Sequence, residues 1–80
     1  MTRKELETQI KDIISRYTYV IVTLDSNIHD DLGVDSIDEA AIETDICEEL
    51  NVKIHWSESE RFWRTKPTVE ELCDFVEKRL

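Results

Sequence analysis

The chain predicts an all-α fold: a small bundle of three main helices plus one short helix, with a long loop between the first two. Three observations predict it. Apolar residues recur at helical spacing in three separate stretches. Helix-start signals of the S/T-x-x-E type stand at Thr2, Ser57 and Thr68. One Gly and one Pro in eighty residues are too few turn formers for a strand-rich architecture. Eighty residues suffice for one core and one domain, residues 1–80.

The first helix is predicted over residues 2–16. Thr2 with Glu5 forms a capping box, and Leu6, Ile10, Ile13, Ile14 and Tyr17 make one apolar stripe. Tyr17 to Leu24 is rich in β-branched and aromatic residues but has no second strand to pair with. It reads as an extended connection from which Val20 and Val22, or Ile21, dock on the core. Asp25-Ser26-Asn27 marks a turn, and Ile28 and Leu32 anchor the loop. The second helix runs from about Ser36 to Leu50, with Ile42, Ile46 and Leu50 on one face, Ala40, Ala41 and Cys47 flanking it, and Asn51 as its stop. Val52 and Ile54 return the chain to the core. Ser57 with Glu60 matches a capping box that opens a short helical turn through Phe62 and Trp63. Pro67-Thr68 begins the last helix, with Glu71 closing its box and Val69, Leu72, Cys73, Val76 and Leu80 as its stripe, Phe75 alongside.

The formal net charge of -9 excludes several partners. Nucleic acid draws on a basic surface, and so do anionic membranes; neither is expected here, and no apolar run is long enough to span a bilayer. Ten of the nineteen acidic residues fall between Arg16 and Lys53, where there is no Lys or Arg: Asp25, Asp30, Asp31, Asp35, Asp38, Glu39, Glu43, Asp45, Glu48 and Glu49. Such self-repulsion costs stability, which favours a use for it in docking basic protein faces. Cys47 and Cys73 lack CxxC spacing and read as small buried hydrophobes. With no apolar signal region at the N-terminus, the expectation is a cytoplasmic protein.

Asp31-Leu32-Gly33-Val34-Asp35-Ser36-Ile37-Asp38 is the most distinctive octet. It sets a small hydroxyl at a helix start, after a glycine that can turn the chain and between carboxylates. A phosphodiester on such a serine would meet unpaired N–H groups and the positive end of the helix dipole. On local chemistry alone, Ser36 equally reads as an N-cap, with Glu39 completing S-x-x-E. No base or metal ligand stands nearby in sequence, so the serine suits attachment rather than attack.

Asp-Leu-Gly-x-Asp-Ser, then Ile37-Asp38, an acidic amphipathic helix, Glu48-Glu49-Leu50 and Ile54 beyond, resembles acyl carrier proteins. The resemblance implies a carrier, not an enzyme. Ser36 would hold 4′-phosphopantetheine received from coenzyme A, and the thiol of that arm would hold acyl groups as thioesters. It further implies a phosphopantetheinyl transferase and acyl-transferring or acyl-loading enzymes with basic docking faces as partners of a monomer, with Asp35, Ile37, Asp38, Glu39 and Glu43 as partner-binding residues. Peptidyl carriers usually show a second glycine before the serine; Val34-Asp35 points to the acyl branch. Ile37 replaces the family's usual leucine. Ala41 stands where glutamate is usual, Thr44 where a methionine is frequent, and Glu43 and Asp45 where residues are often small or apolar. The segment after Ile54 looks longer than usual and carries Trp56, Arg61, Phe62, Trp63, Arg64 and Lys66, the tryptophans expected in the core or at its edge. These departures imply a specialised carrier, with the acyl chain either sequestered in the bundle or exposed.

Other chemistries fit poorly. Asp25, Asn27 and His29 alternate as in a calcium loop, but the sixth and twelfth positions are Asp30 and Ser36 instead of Gly and Glu. His29 and His55 have no paired ligand spacing for zinc. A Ser–His–Asp hydrolase needs a cleft and an oxyanion hole that this composition hardly supplies. The alternative that remains is an unmodified acidic helical docking module binding basic protein surfaces.

Overall fold

Thr2 and Thr68 start their helices in the same way. Each hydroxyl accepts the backbone N–H of the residue three ahead, at 3.2 Å, and that residue's carboxylate accepts the threonine N–H in return, at 2.8 Å for Glu5 and 2.9 Å for Glu71. Two otherwise orphaned donors are satisfied at each start. The computed structural model describes residues 1–80, and its four helices are α1 (Arg3–Ser15), α2 (Ser36–Leu50), α3 (Trp56–Arg64) and α4 (Val69–Glu77).

α1 is the central element and packs against both α2 and α4. Its predicted stripe is the buried one: Leu6, Ile10, Ile13 and Ile14 are buried and Tyr17 lies half-buried beyond the helix end. They meet Ile42 and Ile46 of α2, Val69, Leu72, Cys73 and Val76 of α4, and Ile28, Leu32, Val34 and Val52 from the connections in one continuous core. Leu50 packs on the edge of this cluster. Asn51 stops α2 in the left-handed conformation, φ 55°, which asparagine tolerates better than most residues.

The long connection between α1 and α2 is pinned at both ends of its second half. Asn27 accepts the N–H groups of His29 and Asp30 on its side-chain oxygen, at 3.1 and 2.8 Å, and donates its amide to the Lys66 carbonyl at 2.8 Å. Ile28 donates its backbone N–H to Pro67, and in return Val69 and Glu70 donate to Ser26 and Leu24. The loop is thereby fastened to the start of α4, and Ile28, Leu32 and Val34 insert into the core.

Four expectations need correction. Of the three residues proposed to dock from the extended connection only Val22 does; Val20 and Ile21 are exposed, Ile21 at 85 %. Thr18 donates its hydroxyl to the Leu32 carbonyl and accepts the Val20 N–H, which bends residues 19–21 away from the helices. Leu80 is 57 % exposed because α4 ends at Glu77, short of the turn that would have brought it inward. The element after Ile54 is a nine-residue helix, as long as α4, rather than a short turn. It is capped by His55, whose Nδ1 accepts the Ser57 N–H at 3.2 Å, so Ser57 lies inside the first turn and Glu60 pairs with Arg64 at 2.6 Å instead of closing a box.

Candidate functional site

Gly33 sits three residues before α2 with φ at +67°, where an L side chain is strained. Its N–H donates to the His29 carbonyl, closing the loop's last turn. Val34 follows as a buried anchor and donates its N–H to the Ile28 carbonyl. Loop and helix are thus joined through a fixed, buried residue, and the start of α2 is held at the surface.

At that start Asp35, not Ser36, is the N-cap. Asp35 has extended backbone and its Oδ1 accepts the Asp38 N–H at 2.9 Å. Ser36 is the first helical residue, exposed, and its hydroxyl makes no hydrogen bond within the protein. The other four serines all do. Ser15 donates to the Asp12 carbonyl at 2.6 Å, Ser26 is buried against Thr23, Ser57 meets His55 Nδ1 at 2.8 Å and Ser59 donates to Glu43 at 2.6 Å. One serine hydroxyl in this chain is uncommitted, and it stands at a helix N-terminus.

Around it the predicted recognition residues separate into two groups. Asp35 and Ile37 are exposed, Ile37 at 77 % despite its apolar side chain. Asp38 and Glu39 are half-buried, and none of the three acids pairs with a cation. Partial burial holds the Glu39 carboxyl above its ordinary range; His29 opposes that shift and Asp35 adds to it. Glu43 faces inward to α3 instead. Its Oε1 accepts both the Ser59 hydroxyl at 2.6 Å and the Trp63 Nε1–H at 2.9 Å.

The acidic window is also less uniform than its lack of basic residues implies. Arg16, just outside it, forms a two-pronged pair with Glu49 at 2.6 and 3.1 Å and reaches Asp45 and Asp12. Tyr17 donates its hydroxyl to Asp45 at 2.6 Å. Asp45 and Glu49 on the second half of α2 thus share a cation, while the acids of its first turn, beside Ser36, have none.

The tryptophans divide likewise. Trp63 packs on the core edge, but Trp56 is 71 % exposed, correcting the expectation that both lie in or against the core. Its neighbour His55 caps α3 and leaves the indole outside, tilted by 33° against the imidazole with ring centroids 5.7 Å apart. No group of carboxylates, histidines and cysteines is arranged to hold a metal ion, and no helix is long and apolar enough to cross a membrane. Cys47 and Cys73 are unpaired; burial pushes both thiols up, Cys73 to about 11.

Comparison with known proteins agrees with this arrangement. Residues 8–76 match the family model described as the phosphopantetheine attachment site. The chain is 32 % identical to the acyl carrier protein of Thermotoga maritima over 82 aligned positions, covering 99 % of this chain and 96 % of that protein. The cofactor of such a domain is phosphopantetheine. An all-helical chain with this octet, this match and this relative belongs to the acyl carrier protein family.

Proposed function

We propose that Ser36 carries 4′-phosphopantetheine and that the protein holds acyl groups as thioesters on that arm, presenting them to enzymes of fatty-acid, lipid or polyketide-type synthesis. The single observation that carries this reading is the free hydroxyl of Ser36 at the first position of α2, beside four serines whose hydroxyls are all engaged. The residues fit such a group. Ser36 is exposed, and the N–H groups of Ser36 and Ile37 have no acceptor within the protein, so a phosphodiester there would meet unpaired donors at the positive end of the helix. When bound, the arm supplies a thiol on a long tether. The protein supplies a fixed anchor and a surface to be read.

Asp35, Ile37, Asp38 and Glu39 form that surface. An exposed isoleucine among three uncompensated acids suits a partner with an apolar contact inside a basic rim, the charges steering encounter and the side chain adding buried area. The carboxylates do nothing for the phosphate itself, whose charge they repel. Their use is toward the phosphopantetheinyl transferase and the acyl-handling enzymes. A monomer in the cytoplasm, with two free cysteines kept reduced, fits this work. Incubation with coenzyme A, Mg²⁺ and a transferase proven active on a control carrier tests the reading: intact mass rises by one phosphopantetheine. An unchanged mass overturns it and leaves an unmodified docking module.

A further inference from the structure

We propose that Glu43 latches α3 to α2 and keeps the seam between them shut, so that an acyl group on Ser36 stays outside the bundle and the protein suits short or polar acyl groups. This rests on the carrier reading of Ser36. Ser36 opens α2, and the residues of that helix that face the core are Ile42 and Ile46, both fully buried. One flank of α2 is closed by α1, which packs on it directly. On its other side α2 is joined to α3 through the Glu43 side chain, and α3, which has no fully buried residue, is the helix easiest to displace.

Two hydrogen bonds hold it there. Oε1 of Glu43 accepts from Ser59 at 2.6 Å and from Trp63 at 2.9 Å, both partly buried. Bonds to a charged acceptor are stronger than neutral ones, and opening the seam would leave a carboxylate, an indole N–H and a hydroxyl facing an apolar guest. Behind the latch, Trp63 meets Phe62 edge-on at 5.4 Å, Phe62 stacks on Phe75 at 4.2 Å, and Arg79 covers Phe75 at 3.7 Å while pairing with Glu58 at 2.8 Å. α3 is thereby tied to α4 as well as to α2. The depressions on the molecule agree: one lies on the polar outer face of α1, around Glu5, Thr8 and Gln9, and two lie between α3 and α4, around Phe62, Phe75 and Arg79. None is lined by Ile42 or Ile46. An acyl chain on this carrier keeps its methylenes in water, a growing penalty with length.

The test loads the arm with butyryl, octanoyl or dodecanoyl groups, confirms loading by intact mass, and reads thioester cleavage by hydroxylamine and the methyl resonances of Ile42 and Ile46. In the wild type, cleavage rates are independent of chain length and the methyl signals do not move. In Glu43→Ala, longer chains become protected, by up to about four-fold for each methylene buried, and the methyls shift. Glu43→Gln, which keeps the acceptor oxygen without its charge, lies between the wild type and Glu43→Ala. Protection or methyl shifts with octanoyl in the wild type overturn the inference while leaving the carrier reading intact. Length-independent rates in a folded Glu43→Ala overturn the role of the latch, and Trp63→Phe repeats that comparison if the alanine variant does not fold. Failure to attach any arm overturns the carrier reading, and this inference with it.

Discussion

Asp35 Oδ1 accepts the backbone N–H of Asp38 at 2.9 Å, and this bond decides what Ser36 is free to do. Two adjacent residues could each have capped α2. Because the aspartate takes the position, the serine moves one place into the helix and its hydroxyl points to solvent with nothing to hold. Asp35→Ala removes the cap and should lower stability by about 1 kcal/mol, seen as a lower midpoint in urea with an unchanged slope. Ser36→Ala removes no internal bond and should stay within about 0.5 kcal/mol of the wild type. A loss of similar size in both variants would show the two side chains sharing the cap.

The core makes a second prediction. Ile46 is fully buried in the core, whereas Leu50, one turn on, sits at the cluster's edge. Ile46→Ala should cost about 2–5 kcal/mol, a large share of a small domain's total stability. Leu50→Ala should cost clearly less. Chemical denaturation of both variants checks the order, and equal losses would contradict the packing of α2.

Gly33 gives a third. A Cβ added there meets no atom within 4 Å, so the cost of Gly33→Ala is backbone strain alone. That strain is roughly 1–2 kcal/mol. Gly33→Asn should recover part of it, since asparagine enters the left-handed region more readily. Thermal midpoints in the order glycine, asparagine, alanine are expected; an alanine variant as stable as the wild type would contradict the positive φ.

Much of this was legible locally. The boxes at Thr2 and Thr68 and the stop at Asn51 are written in residues three or four apart, and so are the apolar stripes of α1 and α4. What the sequence hid depends on distant partners. Histidine is an unusual cap, so His55 gave no signal, and the nearby Ser57-x-x-Glu60 pattern pointed to the wrong start. Glu43 reads as one more surface acid until Trp63, twenty residues away, is seen to donate to it. Arg16 neutralises Glu49 from 33 residues off, which no count of charge within a window reveals. At Ser36 the local pattern admitted two roles; the geometry of Asp35 removes the capping one.

Glu39 supplies a pH prediction. Burial raises its folded-state pKa above the unfolded value, so its contribution favours folding below the unfolded pKa and is lost as pH rises through the folded one. At neutral pH the charged form is held at a cost, and Glu39→Gln should raise the thermal midpoint there, with the advantage shrinking below the ordinary glutamate pKa. Glu49 runs the other way. Arg16 lowers its pKa, so its contribution is present above the unfolded pKa and fades as pH falls through the folded value. Thermal scans across pH 3 to 8, about the span of these titrations, check both signs; a Glu39→Gln variant less stable at neutral pH would contradict the first.

The uncompensated acids beside Ser36 should govern encounter with enzymes that act on the arm. Reversing Asp38 and Glu39 to Lys should slow the transferase reaction at low salt with helix content retained, and added salt should slow the wild type, since the Debye length shrinks from about 10 Å at 0.1 M. Glu70→Lys, on α4, should matter far less. Rates sensitive to Glu70 but indifferent to the first pair would place the docking face elsewhere.

The most direct measurement is peptide mapping of the chain after reaction with coenzyme A and a phosphopantetheinyl transferase. Five serines compete in one molecule, four with engaged hydroxyls and one without. Tandem mass spectrometry should find a single phosphopantetheine, on Ser36, and none on Ser36→Ala. An arm on Ser15, Ser26, Ser57 or Ser59, or a Ser36→Ala chain that still gains the full mass, would contradict the account.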